Sequence, residues 1–300
     1  MSFKLSKQKK IGSHYPIAKI IGAKKDDKKY LYLGDFQYKI SECPADVLNE
    51  ISENEKVILN NALISGQEPE DEELTKIFYR CKEWIKKKNC KFILRGKGLK
   101  FQYLPNQKYT ERIMIAGISG SGKSTWCSSY IKEYCKQHRK NPFYILSNVA
   151  EDDVLDKLDP VRLELSDIVN NGMLVEEIED SILLFDDTGS IENCGLRKGI
   201  QAFQNNLLEV SRHYNTHLLN TSHHIQNYAQ TRTLLNEATA ICLFPKSNTK
   251  AIKQYLKTYE NFDNDEINRC LNINSRWFVL VKATNDHPAY ILTEKQVYII

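Results

Sequence analysis

The sequence predicts an α/β chain. Residues 106–300 should form a mostly parallel central sheet flanked by helices, and residues 1–105 a smaller α+β N-terminal domain. Three observations predict this. From residue 109 onward, apolar strand-like segments alternate with helical stretches, the rhythm of a parallel α/β sheet. A glycine-rich octapeptide, Gly117-Ile118-Ser119-Gly120-Ser121-Gly122-Lys123-Ser124, joins one such strand to an amphipathic stretch. Before residue 105 the rhythm differs, and Pro105-Asn106-Gln107-Lys108 has the composition of a boundary.

In the N-terminal part, 15–21 and 29–33 read as strands, joined by a charged turn at 24–28. Residues 36–40 alternate apolar and polar, as a half-buried strand does. Helical patterns follow over 47–62 and 72–88. Lys91–Leu94 and Leu99–Leu104 then suggest a closing hairpin with Gly96 and Gly98 at its turn. In the larger part the expected strands are 112–116, 143–147, 161–165, 182–185, 217–221, 239–244, 277–281, 289–292 and 297–300.

The 300 residues suffice for one large or two modest cores. No apolar run approaches a membrane span, and the N-terminus has no signal-peptide pattern. An intracellular, soluble protein with no membrane insertion is therefore expected. If the chain is viral, the host cytoplasm and the virion are its expected locations. The eight cysteines show no CxxC pair and read as free thiols of a reducing compartment. Net charge is +4 but unevenly spread. Lysines crowd positions 4–29 and again 82–100, with an acidic stretch between, ending at 68–73. Such clusters suit a nucleic-acid partner, or a merely solvated surface.

The octapeptide carries the most specific chemistry. Ile113–Ala116 is an apolar strand running into Gly117, and a helical stretch follows Ser124-Thr125. Strand, glycine-rich loop and helix together define a P-loop NTPase. Glycines let backbone N–H groups curl around a phosphate, and the helix N-terminus adds a positive dipole end. Gly117, Ser119, Gly120, Ser121, Gly122, Lys123, Ser124 and Thr125 are the expected ATP-binding residues. Lys123 should reach the β- and γ-phosphates, and the Ser124 hydroxyl should ligate Mg²⁺.

A second motif is Ser181-Ile182-Leu183-Leu184-Phe185-Asp186-Asp187, a buried strand ending in paired carboxylates. Asp186 is expected on the magnesium shell and Asp187 beside the attacking water. Glu179 and Asp180 precede the apolar run and should lie at the wrong end of the strand. A third constellation spans 207–224. A helix ends near Arg212, and a strand then ends in Thr221-Ser222-His223, where His223 could sense the γ-phosphate. A zinc site from Cys194, His213, His217 and His223 has no recognised spacing.

These motifs, with Arg212-His213-Tyr214-Asn215 and Thr231-Arg232-Thr233-Leu234-Leu235-Asn236-Glu237, resemble the DNA-packaging ATPases of large nucleocytoplasmic DNA viruses, of the FtsK/HerA class. Ser275-Arg276-Trp277-Phe278-Val279 is similar as well. The resemblance covers about residues 110–300 and implies a DNA-translocating ATPase acting on double-stranded DNA. It also implies a homo-oligomeric ring, with a capsid or portal protein as a further partner. In such a ring an arginine of one subunit reaches its neighbour's ATP, and Arg212 and Arg232, each expected near the active strand ends, are the candidates. Relatives often carry glutamine where this chain has His223.

The alternatives are a P-loop helicase or other NTPase, and a non-translocating assembly switch. A small-molecule kinase lacks its arginine-rich lid here, and 164–172 offers no ABC-type signature.

Overall fold

The computed structural model describes residues 1–24, 27–34, 39–225, 228–246 and 248–300. Two sheets organise it. The smaller is antiparallel, in the order β1 (Ser2–Ser6), β3 (Tyr30–Gly34), β2 (Ala18–Ile21), β5 (Lys100–Tyr103). The larger has ten strands among the described residues. Its parallel part runs β11 (Ala240–Leu243), β6 (Arg112–Ala116), β10 (His217–Ser222), β9 (Ile182–Asp186), β7 (Phe143–Ser147), β8 (Val161–Arg162). Beyond β11 the sheet continues antiparallel through β12 (Phe278–Val281), β13 (Tyr290–Thr293), β14 (Gln296–Ile299) and β4 (Lys91–Ile93).

The helices are α1 (Ala45–Leu48), α2 (Glu53–Ser65), α3 (Glu72–Asn89), α4 (Lys123–Gln137), α5 (Leu165–Asp167), α6 (Cys194–Val210), α7 (Tyr228–Glu237), α8 (Thr249–Tyr259) and α9 (Asn264–Leu271). Local chemistry explains where most of the longer ones start. Ser52 and Glu55 form a reciprocal capping box before α2, and Asp263 and Glu266 do so before α9. Asp71 and Asn193 cap α3 and α6 through their side chains. Helix α4 is the exception. Gly122 precedes it with φ of 110° and no side-chain cap, so its first N–H groups face whatever occupies the loop.

Strands buried on both faces sort their side chains by the two-residue period. Ile113, Ile115, Leu184 and Leu219 join one core with Trp126, Tyr130 and Tyr134 of α4. Met114, Leu183, Phe185 and Leu218 join the opposite core, beneath α6 to α9. The first core also contains Phe3, Ala18, Leu31, Phe101 and Tyr103. The smaller sheet thus covers the same face of the large sheet as α4. Helices α1, α2 and α3, with Val47, Leu59, Leu63, Phe78, Cys81 and Ile85, keep a core of their own.

Two expectations from the sequence change here, and a third falls mostly outside the described residues. Residues 91–94 and 99–104 do not pair as a hairpin. β4 joins β14 at the edge of the large sheet, whereas β5 joins β2 in the small one. Glycines 96 and 98 therefore turn the chain from one sheet to the other, and backbone bonds from Leu94 N to Lys295 O (2.7 Å) and from Phe101 N to Glu294 O (2.8 Å) tie that passage down. As a result, packing is continuous across the expected boundary at 105. The segment 161–165 is a strand only over Val161–Arg162, after which the chain turns into α5. Of the expected strand 36–40, positions 36–38 lie outside the described residues, and Ile40 begins a short 3-10 turn.

Candidate active site

All six parallel strands point their carboxyl ends toward one edge, and the P-loop and both acids lie there. The register aligns Ala116 with Ser222 and with Leu243, and Asp186 with Ser147. β10 lies between the P-loop strand β6 and the acidic strand β9. Its terminal side chains can therefore touch both.

The P-loop closes tightly. Gly117 N donates to Ser222 O at 3.0 Å, and Ser121 N donates to Ile118 O at 3.2 Å. A Cβ on Gly117 would stand 2.6 Å from Ser121 Oγ and 2.9 Å from Phe244, so only glycine fits there. Ser121 Oγ is buried and makes no hydrogen bond among the described residues. A buried hydroxyl without a partner is costly unless a ligand atom meets it, and in this loop a phosphate oxygen would do so.

Lys123 Nζ is held over the loop by Gly117 O (2.7 Å) and Ile118 O (3.3 Å). It also lies 3.4 Å from His223 Nδ1, while His223 Nε2 lies 2.9 Å from Asp187 Oδ2. An ammonium only donates, so Nδ1 accepts and the Nε2–H donates to Asp187. The three residues form one line of charge and dipole. Burial lowers the Lys123 pKa, and the Asp187 and Asp186 carboxylates act against that shift.

Thr221 organises the acids. Its hydroxyl donates to Asp186 Oδ1 at 2.8 Å and accepts from Asp187 N at 2.9 Å. Ser147 Oγ adds a longer bond to Asp186 Oδ2 at 3.3 Å. Asp187 has φ of 49° and ψ of 37°, the left-handed region, which aspartate tolerates better than most residues. This turn directs the second carboxylate away from the strand axis and toward His223, while the first remains on Thr221 and Ser147.

The donor set suits magnesium. Ser124 and Asp186 offer hard oxygen atoms at the end of the loop, and Mg²⁺ needs only one or two protein oxygens when phosphates supply others. No group of three or more His, Cys, Asp or Glu capable of holding a metal occurs among the described residues. Cys194, His213, His217 and His223 do not form a zinc site. His217 is buried at the amino end of β10, His213 is exposed, and His223 is bound to Asp187.

No family model matches the chain. In sequence it is similar to uncharacterized protein V3 of Sputnik virophage, 36% identical over 197 residues, which are 65% of this chain and 79% of V3. The chain belongs to the family of this virophage protein. Solved structures similar to it include the genome packaging NTPase B204 of Sulfolobus turreted icosahedral virus 2 in complex with ATP-gammaS, with 13% identity and a TM-score of 0.42 over 61% of this chain and 97% of B204. The pCW3 conjugation coupling protein TcpA with ATPgS gives 12% identity and a TM-score of 0.45 over 70% of this chain and 66% of TcpA.

The two arginines proposed from the sequence separate. Arg212 lies in the turn between α6 and β10, at the amino ends of the strands, where its charge opposes that of Arg112. The expectation that it sits near the active strand ends is incorrect: Arg212 is close to β10 in sequence, but β10 runs away from it toward Thr221. Arg232 is exposed on α7, the helix that connects the carboxyl end of β10 to β11, and its neighbour Thr231 lines a small cavity with Thr188, Gly189 and Thr221. A third arginine carries no assignment from the sequence. Arg276 Nη2 lies 3.0 Å from the place a Cβ on Gly122 would occupy, directly against the P-loop. The only sequence signal for it was its place in Ser275-Arg276-Trp277.

Proposed function

We propose that this protein is an Mg²⁺-dependent ATPase that translocates double-stranded DNA, and that it works as a homo-oligomeric ring in viral genome packaging. The observation that carries the hydrolytic part is the line Lys123–His223–Asp187, with Thr221 bridging Asp187 to Asp186. Lys123 neutralises charge on the phosphates, where electrostatic stabilisation is worth most. Asp187 orients the attacking water and receives its proton. The water oxygen bonds to the γ-phosphorus as the bond from that phosphorus to the bridging oxygen breaks, giving ADP and phosphate. His223 holds the Asp187 carboxylate in place and links it to Lys123, so a shift of either cation or anion is felt by the other. Mg²⁺, when bound through Ser124 and Asp186, offsets phosphate charge.

The DNA part is supported by the sequence resemblance to packaging ATPases and by membership of a virophage family. No helix among the described residues is long and apolar enough to cross a membrane. A ring would let an exposed arginine, Arg212 or Arg232, reach the neighbouring subunit's nucleotide, and a capsid or portal protein would anchor it. The deciding measurement is the ATP turnover of the full chain with and without long duplex DNA. Marked stimulation by duplex is expected. Turnover indifferent to DNA but stimulated by a small phosphate acceptor would replace this reading with a kinase.

A further inference from the structure

Beside the P-loop lies a cavity of about 190 Å³ whose lining is shared by the two parts of the chain. Gly122 and Thr125, at the start of α4, form its end nearest the phosphates. Trp126 and Phe244 form its apolar floor, and Trp277 stands edge-on to Trp126 with ring centroids 6.4 Å apart. The opposite wall belongs to the smaller sheet, with Ile21 on β2 and Lys100 and Gln102 on β5.

A nucleotide whose phosphates lie at the amino end of α4 has room for its sugar and base along the first turn of that helix, where Gly122 and Thr125 line the cavity. The cavity begins at that turn. Aromatic walls bury a flat ring well, and stacking on such side chains contributes about 1–3 kcal/mol per base. Polar groups stand at the rim. The Gln102 amide donates to Ser129 O at 2.8 Å, so the remaining end of that amide is a carbonyl acceptor, the complement of an exocyclic amine. The wall is also fastened. Lys100 Nζ donates to Glu294 Oε1 at 2.8 Å, and Arg276 N donates to Glu294 Oε2 at 3.0 Å. One carboxylate therefore joins β5 of the smaller sheet to the loop that lays Arg276 against Gly122. Burial alone would raise the Glu294 pKa, but Lys100 and the Arg276 backbone outweigh it and hold the carboxyl ionised.

We propose that this cavity seats the base and sugar of an adenine nucleotide, and that the N-terminal sheet supplies the wall that selects the base. The proposal rests on the P-loop reading above. It gives residues 1–105 a part in nucleotide binding, through Ile21 and Gln102.

The test compares Mg-ATP with magnesium tripolyphosphate, which offers phosphates and no base. Trp84, on α3, is the one tryptophan of three that does not line the cavity, so a Trp84→Phe background reports on Trp126 and Trp277 alone. ATP should change this fluorescence and bind at least about tenfold tighter than tripolyphosphate, the gain of roughly 1.4 kcal/mol expected from one stacked ring. Ile21→Tyr, at an exposed position on the cavity mouth, and separately Gln102→Leu, should reduce that advantage in calorimetry and leave tripolyphosphate affinity unchanged. If ATP and tripolyphosphate bind equally and the fluorescence does not move, the cavity is not the base site, although the P-loop reading stands. If ATP keeps its advantage in both variants, the N-terminal wall does not select the base. If neither ligand binds, both readings fall.

Discussion

The two edges of the parallel sheet use polar residues in opposite ways. At the carboxyl edge, Lys123, Asp186, Asp187 and His223 are half-buried and reach one another across strands. At the amino edge, polar residues are buried and their partners come from the fold. Glu111 accepts from the hydroxyls of Tyr103 and Tyr130 and from Asn106 N at 2.7 Å. His217 Nδ1 accepts from Glu111 N at 3.4 Å, Thr216 Oγ1 donates to Ile178 O at 2.8 Å, and Arg112 donates to Leu208 O at 3.2 Å. A buried polar network that is satisfied internally fixes geometry, whereas one left partly open is available to a ligand. Among the described residues each edge keeps a buried hydroxyl without a hydrogen bond, Ser211 Oγ at the amino edge and Ser121 Oγ at the carboxyl edge, but of these two Ser121 is the one in a glycine-rich loop shaped for an anion.

The largest test of this contrast is Lys123→Ala. Removing the cation nearest the developing phosphate charge should lower turnover by about a thousandfold, roughly 4 kcal/mol of barrier, and weaken nucleotide binding. Wild-type turnover would remove the carboxyl edge from the chemistry. The next is a pair of carboxylate variants. Asp187→Asn should still bind Mg-ATP but hydrolyse it about a hundredfold more slowly, since the amide cannot take the water's proton. Asp186→Asn should instead weaken magnesium affinity. Equal loss of binding in both would show that the bridge through Thr221 makes the two acids one unit.

Arg212 can break the comparison, because it lies at the amino edge. If that edge is structural within one subunit, Arg212 can act only on a neighbour. A mixture of Arg212→Ala with Lys123→Ala, and another of Arg232→Ala with Lys123→Ala, should recover activity for the arginine that works in trans. Mixed oligomers are verified by mass. No recovery in either mixture would leave the shared-site ring without support.

The amino edge makes its own prediction in acid. Burial, with a smaller contribution from His138, lowers the His217 pKa to about 3. The unfolded chain takes up that proton near pH 6.5, while the folded chain does not, so stability is lost as pH falls from about 6.5 toward 3, by up to ~1.4 kcal/mol per pH unit. Burial raises the Glu111 pKa, so this carboxyl gains its proton earlier in the folded state and opposes the loss at the lower end of the window. His217→Gln should flatten the fall of Tm between pH 6 and about 4.5. An unchanged profile would mean that His217 is not buried neutral.

The P-loop and the paired acids were legible in the sequence because their chemistry is local: glycines, one lysine and one strand end are consecutive in the chain. Strand direction was not equally legible. Arg212 and His223 lie within one segment, yet β10 carries them to opposite edges of the sheet. Partner choice was illegible too. Glycines 96 and 98 fit a hairpin turn, but β4 and β5 each find a better partner far along the chain, on β14 and β2. Arg276 and the cavity beside Gly122 depend on that same long-range pairing, since it brings β5 alongside α4 and Glu294.

The smallest expected effect concerns α3, which lies away from both edges and keeps its core with α2. Its lysines do not repel one another freely. Lys88 Nζ lies 4.6 Å from the Trp84 ring centroid, and Lys82 Nζ lies 4.7 Å from that of Phe78, so part of this basic block rests on aromatic faces of its own helix. A lysine stem laid along a ring still presents its ammonium to solvent and to phosphate. Contacts of this type give affinity without base readout and are released by salt. Lys87→Ala with Lys88→Ala should therefore weaken binding to any duplex by a similar factor, and reduce the slope of log affinity against log salt by about two if both touch phosphates. ATP turnover without DNA should not change, because neither side chain approaches the carboxyl edge. If the salt slope matches that of the unaltered chain, α3 is not on the DNA path. The duplex would then be held by the ATPase edge alone, and the exposed face of α2 and α3 would be free for a protein of the capsid side.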